Sequence, residues 1–518
     1  MASLRRSTVR WSASACLVFL FVGAIGGCGS ETTADVTNAV EAEALRILGN
    51  NMARYEAELL ELAAIPSIAA LPQHQSDVAR AADWLVSRLH RAGFERAEAM
   101  DTGAQPVVYG EWLLAGDAAP TVLIYAHYDV QPADPLEMWH TPPFSPVLDE
   151  EAGLFRGRGV SDNKQGVLMA IHAVEVAIRA SGGDLPVNVK LLLEGQEEVQ
   201  SPNLESFMAA NAHRFACDYV FNADGMQIGK DVPGVLLGMR GTTALEVELR
   251  TAHRDLHSGT HGGSIQNPNH ALATLVASLH DNDGAVAVDG FYEGVQPPSE
   301  ADRRDMAEFP FNEAAEAAEL GVVEPFGEAG FTTLERRWLR PTLEVVGMWG
   351  GFTGEGLKTV LPAVATAKLA CRLVSGQSPQ DAADKVEAHL MSHLPPGANI
   401  TVRRLGLGAL PFSADRSSPA AKVAARVLQE VMGARPVFFK SGASIPALAI
   451  LHAHLGVEPV CLGFKLDSDL LHSPNERFHR SLYRQGHEVY VKLLFAIGGD
   501  TKRHEALPRS QQHQHSEL

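Results

Sequence analysis

Val122-Leu-Ile-Tyr-Ala-His-Tyr-Asp-Val-Gln-Pro132 is the stretch from which the fold can be read. Val122 to Ala126 is a short, unbroken apolar run, the pattern of a strand buried on both faces of a parallel sheet. Polar side chains appear where it ends, as His127 and Asp129 in H-x-D spacing. At the period of a strand, both leave on the same side. The pattern repeats downstream. Val187 to Leu193 is a second apolar run, followed by Glu197-Glu198, and Tyr219 to Asn222 is a third, closed by Asp224. Helical patterns alternate with these runs, over about Glu43 to Ala64, Ser76 to Ala92 and Lys164 to Ala180. This alternation indicates an α/β sheet with helices on both faces.

The middle of the chain has a different period. Ala244 to Arg250 and Ala365 to Val374 alternate apolar and polar, as half-solvated strands do. Helical patterns over about Asn269 to His280 and Pro379 to Leu394, and a strand-like Asn399 to Arg403, complete a small α+β unit with a single-faced sheet. Residues 283–345 read as irregular. After about 412 the helix and apolar-strand pattern returns (Ala420–Met432, Leu455–Leu462). One α/β domain, 43–240 plus 412–499, therefore carries an insertion at 241–411.

The ends read as targeting segment and tail. Arg5, Arg6 and Arg10 precede an apolar run, Ala15 to Ile25, too short to span a bilayer comfortably. Gly26-Gly27-Cys28 then resembles a bacterial lipobox. Residues 1–27 are read as a lipoprotein signal peptide, Cys28 as the lipidation site and 28–42 as a polar tether. The chain is thus expected to be exported and lipid-anchored at a bacterial membrane, the leaflet left open. The tail 500–518, with His504, His513 and His515, reads as disordered rather than as a metal site.

The 518 residues carry a formal charge of −19, with no long basic run, which argues against a nucleic-acid partner. Cys217, Cys371 and Cys461 lack C-x-x-C spacing and read as buried small hydrophobes.

The polar residues after the strands carry the chemistry. A metal-bound imidazole commonly gives its other N–H to a carboxylate, so Asp129 could orient His127. Asp162 lies in a glycine-rich loop entering a helix (157–164), and His472 in Leu471-His-Ser-Pro-Asn-Glu476. Strand ends of an open α/β sheet are where ligands bind. Two histidines and several carboxylates without cysteine suit zinc, manganese or cobalt in a two-metal site.

Here the sequence resembles the two-zinc metallopeptidases that include carnosinase-like dipeptidases, aminoacylase and bacterial glutamate carboxypeptidases. The resemblance runs over about residues 45–499. It is carried by YAHYDVQP (125–132), the W-x-x-x-P-F-x-P pattern from Trp139 to Pro146, GRGVSDNK (157–164), LEGQEE (193–198), ADG (223–225), RDLHSG (254–259), KTVLP (358–362), CRLV (371–374), GASIP (442–446) and HSPNE (472–476). It implies a zinc-peptidase-like catalytic domain with an inserted ferredoxin-like lid and dimerisation domain. It further implies two divalent ions per subunit, zinc first, with manganese or cobalt as alternatives. His127 and Asp224 would hold one ion and Glu198 and His472 the other, with Asp162 bridging. Glu197 would be the general base. His257 would reach the active site of a partner subunit, and Thr359, Arg372 and Ser444 would contact substrate.

Two positions depart from the family pattern. Gln165 precedes Gly166 where a glycine often follows the lysine, and Gln200-Ser201 stands where Gly-Ser is common. The expected activity is metal-dependent hydrolysis of dipeptides or short peptides by a homodimer joined through the inserted domain. An N-acyl-amino-acid amidohydrolase or carboxypeptidase is the alternative on the same scaffold. A non-catalytic peptide-binding lipoprotein would predict loss of the base or of a ligand, and none is lost.

Overall fold

The computed structural model describes residues 33–506, with side chains from 37 to 500. The signal peptide expected over residues 1–27, the lipidation expected at Cys28, and the tail histidines His513 and His515 lie outside the described residues. The centre is a nine-stranded mixed sheet. Four of its strands, Asn188–Glu194, Thr121–His127, Tyr219–Asn222 and Pro459–Cys461, lie side by side and run parallel. Every residue of Asn188–Glu194 is buried, which is why these strands read as unbroken apolar runs rather than as alternations. Helices Thr33–Ala63, Lys164–Ser181 and Arg480–Ala506 pack on one another beside this sheet. The core they share draws on both flanks of the insertion, from Ala44 to Met239 and from Phe412 to Ile497.

The inserted segment builds a second core around Leu245, Val247, Leu249, Leu275, Leu369 and Val386. Its antiparallel sheet has the order Thr342–Gly350, Val364–Leu373, Gly241–Arg250, Asn399–Arg404. With helices Pro268–Ala277 and Pro379–Ser392 between the strands, the chain order is βαββαβ, the ferredoxin-like arrangement. Burial alternates along Gly241–Arg250 because the helices cover only one face.

Three local expectations are corrected. Residues 33–42 are helical rather than a tether: the apolar spacing of Ala44, Leu48, Met52, Tyr55 and Leu59 extends back to Val40, and Lys492 pairs with Glu41 at 2.7 Å. The last helix runs to Ala506, seven residues into the tail read as disordered. The segment 283–345 holds helices Glu300–Glu308, Glu313–Leu320 and Thr333–Trp338 and enters strand Thr342–Gly350. Capping boxes at Ser299 and Thr332 start two of those helices. Cys217, Cys371 and Cys461 are unpaired thiols. Among the described residues no helix is long and apolar enough to cross a membrane.

Candidate metal centre

Parallel pairing aligns the carboxyl ends of the four central strands on one edge of the sheet. His127 is the last residue of its strand. Glu197 and Glu198 follow Asn188–Glu194 in a short turn, and Asp224 follows Tyr219–Asn222. Asp162 comes in from the loop before helix Lys164–Ser181, and His472 from the loop before strand Arg477–His479. His472 has left-handed backbone, φ 57°. That conformation costs a non-glycine residue roughly 1–2 kcal/mol and is typical of functional loops.

These residues converge as two donor groups that could each hold a metal ion, His127/Asp162/Asp224 and Asp162/Glu198/His472. Asp162 belongs to both. Its Oδ1 lies 3.2 Å from His127 Nε2, and its Oδ2 lies 3.1 Å from His472 Nε2. Asp224 Oδ1 is 3.4 Å from His127 Nε2, and Glu198 Oε2 is 3.2 Å from His472 Nε2.

Asp129 is a positioning residue. His127 Nδ1 lies 3.1 Å from its carbonyl oxygen and 3.4 Å from its carboxylate. The same carboxylate accepts the backbone N–H groups of Glu197 (3.2 Å) and Glu198 (3.1 Å). One buried side chain therefore fixes both the histidine and the Glu-Glu turn. Asn163 joins two more loops, accepting from the His127 N–H and donating to the Ala223 carbonyl at 3.1 Å. Gly166 has to be glycine, because a Cβ there would stand 2.8 Å from the Ala223 oxygen. Gln165 is wholly buried and donates to the Ser161 carbonyl, so this departure supports the Asp162 loop rather than lining the pocket. Gln200 and Ser201 both have left-handed backbone, φ 71° and 49°, the conformation that favours glycine at the first of them.

Two contributors escaped the sequence reading. Glu476 is wholly buried and accepts from the backbone of Gly159, Ser161 and Asp162 and from Arg158. Lys465 follows strand Pro459–Cys461, and its Nζ donates to Asp162 Oδ1 (2.8 Å) and Asp224 Oδ1 (2.5 Å). The strand-end rule that located His127 and Asp224 also points at Lys465. Glu476 stood inside a quoted block, but a carboxylate in a turn ordinarily faces water.

The centre concentrates negative charge. Burial pushes the Glu197 carboxyl well above the usual range against the pull of His127, and Asp224, Glu198 and Asp162 add to the rise. Burial also raises Glu198, aided by Asp162. Burial would raise Asp162 too, but Lys465, His127 and His472 hold it well below the usual range. Hydrogen bonds to Asp162 and Glu198 push His472 up to about 10. Glu198 Oε1 is buried with no hydrogen-bond partner, a costly state unless a cation meets it. Nitrogen and oxygen donors without thiolate, a shared carboxylate and an orphaned carboxylate oxygen all fit divalent metal.

The other expected residues lie elsewhere. Arg372, on the inserted sheet, donates to Ser444 Oγ at 2.9 Å, so those two meet across the junction. His257 and Thr359 lie on neighbouring exposed loops, where the pair His257↔Val360 joins two short strands. Within its own chain, His257 Nδ1 accepts the Gly259 N–H at 3.1 Å. No hydrogen bond among the described residues links either of them to the donor groups.

The scaffold recurs in known proteins. The chain is 31% identical over 423 residues to the Beta-Ala-His dipeptidase of Mus musculus, covering 79% of this chain and 85% of that protein. It is 30% identical over 450 residues to the Cys-Gly metallodipeptidase DUG1 of Saccharomyces cerevisiae, covering 83% and 92%. The solved structure of the Saccharomyces cerevisiae di-peptidase Dug1p superposes with a TM-score of 0.76 at 26% identity, over 89% of this chain and 98% of that one. Residues 123–496 match peptidase family M20/M25/M40, and the chain belongs to that family.

Proposed function

We propose that this protein is a metal-dependent dipeptidase. One observation carries the reading: Asp162 divides its two oxygens between two histidine-containing donor groups, beside a Glu197 carboxyl whose pull upward comes from burial and neighbouring carboxylates. In this reading His127, Asp162 and Asp224 would hold one divalent ion and Asp162, Glu198 and His472 a second, zinc being the metal expected. Bound divalent ions acidify water and polarise a carbonyl oxygen. Glu197 takes the proton of the attacking water and returns it to the departing amine. Asp129 keeps the Glu197-Glu198 turn in register with His127. Arg372, steadied by Ser444, receives the substrate carboxylate, which the paired donors of a guanidinium suit.

The enzyme acts as a homodimer through the inserted domain. Strand Thr342–Gly350 is an edge strand that exposes Val345, Val346, Met348 and Trp349, a surface that favours pairing. His257 and Thr359, exposed on their loops, then serve the partner's site. Mixing His257→Ala with Glu197→Gln chains restores activity in heterodimers if the site is shared. Activity confined to one chain gives no recovery. The Cys28 leader supports export and lipid anchoring at a bacterial membrane.

The test is a panel of dipeptides, longer peptides and N-acyl amino acids, assayed after chelation and after adding back Zn²⁺, Mn²⁺ or Co²⁺. We expect dipeptide hydrolysis that chelation abolishes and metal restores. Full activity in metal-free protein refutes the reading, and exclusive N-acyl-amino-acid hydrolysis refutes the substrate class.

A further inference from the structure

The two donor groups differ in one respect: a lysine already sits on the first. Lys465 is buried, its side chain 10% exposed, and its ammonium spans Asp162 Oδ1 and Asp224 Oδ1. Those are the two oxygens that, with His127 Nε2, make up the His127/Asp162/Asp224 group. The lysine backbone is anchored as well. Its carbonyl accepts the Gln227 N–H at 2.8 Å, its N–H reaches the Gly225 carbonyl at 3.4 Å, and it bridges to Met226. The ammonium can leave these oxygens only by a swing of its own side chain.

Among the described residues no lysine spans the two carboxylates of the second group. Among the described residues, Glu198 meets besides His472 one side-chain donor, the neutral amide of Gln131 at 2.9 Å, and its Oε1 stays buried without a partner. His472 meets Asp162 and Glu198, and no lysine or arginine pairs with Glu198 among the described residues.

We infer that Lys465 is a built-in counter-cation for the first donor group, so that the site takes up its two divalent ions unequally. The inference rests on the metallopeptidase reading. The Asp162/Glu198/His472 group takes its ion more readily because, beyond the histidine that each group contains, no lysine spanning its carboxylates has to be displaced. An ion entering the His127/Asp162/Asp224 group must first displace the ammonium, breaking two buried charge-assisted hydrogen bonds. It also meets a group whose net negative charge the lysine has already reduced by one. Conversely, the lysine stabilises the metal-free centre, where Asp162, Asp224, Glu197 and Glu198 would otherwise repel one another. Lys465 is therefore a positioning residue that sets metal occupancy.

The test uses the whole chain and zinc, with metal per chain determined by elemental analysis over a series of buffered free-zinc concentrations. Wild type should fill in two steps, one equivalent well before the other. Lys465→Met removes the charge while keeping a flexible side chain of similar length. In that variant the later step should move to free zinc lower by about 10²-fold or more, as expected when a buried competing charge is removed. Metal-free Lys465→Met should also melt below metal-free wild type and gain more from zinc. Lys465→Arg, which keeps the charge, should retain unequal filling and covers the case in which the methionine variant fails to fold. One-step filling of two equivalents by wild type overturns the inference, as does coincidence of the wild-type and methionine titrations. Zero equivalents in every protein refutes instead the metallopeptidase reading beneath it.

Discussion

Glu476→Gln is the substitution whose cost follows most directly from the structure. The Glu476 carboxylate is wholly buried and engages four donors. Its Oε1 accepts from the N–H groups of Gly159 (3.1 Å), Ser161 (2.9 Å) and Asp162 (3.0 Å). Its Oε2 accepts from Arg158 Nη1 at 2.7 Å. Glutamine keeps the shape but supplies only one acceptor oxygen. If that oxygen stays with the three backbone donors, the new amide points at Arg158, itself 1% exposed. A buried guanidinium then faces another donor and loses its counter-charge. Breaking a buried pair in this way costs about 3–5 kcal/mol. The same carboxylate fixes the Asp162 backbone, so zinc retention should fall together with stability. Urea unfolding of chelated wild type and variant, followed by circular dichroism, measures the first effect. Elemental analysis after dialysis measures the second. A variant within about 0.5 kcal/mol of wild type, the range of an ordinary surface substitution, that also keeps its zinc would refute the reasoning.

Further expectations are independent of that one. Burial holds His487 down to about 4, despite its hydrogen bond to the Tyr483 carbonyl, whereas an unfolded histidine titrates near 6.5. Its contribution is fully present above pH 6.5 and is lost as pH falls toward 4, at most about 3 kcal/mol; His487→Gln should flatten the acid limb of a stability–pH curve, and an unchanged slope contradicts this. Arg372→Met should raise KM about 10- to 100-fold for a dipeptide with a free carboxylate, as loss of a charged hydrogen bond does, and raise it much less for the dipeptide amide; equal effects would remove Arg372 from substrate binding. Cys28→Ser should leave unprocessed precursor or a soluble form, and mass spectrometry finding an unmodified Cys28 in the mature wild-type chain contradicts lipidation.

The parallel half of the fold was legible because its strands are buried on both faces and break into polar residues only at their ends. The same signal located His127, Glu197, Glu198 and Asp224. Asp162 and His472 lie in loops, and the quoted blocks rather than any periodicity identified them. The helical start at Thr33 was missed because its first turns are mostly polar, and packing against the last helix decides their conformation. Strand Thr342–Gly350 was missed because an exposed edge strand, with Val345 to Trp349 open to solvent, lacks alternation. Glu476 and Lys465 were overlooked for a common reason. A charged residue in a loop reads as solvated, and only the fold reveals that its partners are buried donors or buried carboxylates. The meeting of Arg372 with Ser444 spans two cores and has no local signature.

Turnover and zinc content of Glu197→Gln, measured on one preparation, test the central claim most directly. Losing general-base help costs about 10²–10⁴-fold in rate, and Glu197 belongs to neither donor group. Dipeptide turnover should therefore fall by at least that factor while zinc per chain stays at the wild-type value. Turnover near wild type, or loss of zinc in step with loss of activity, would contradict the role given to Glu197.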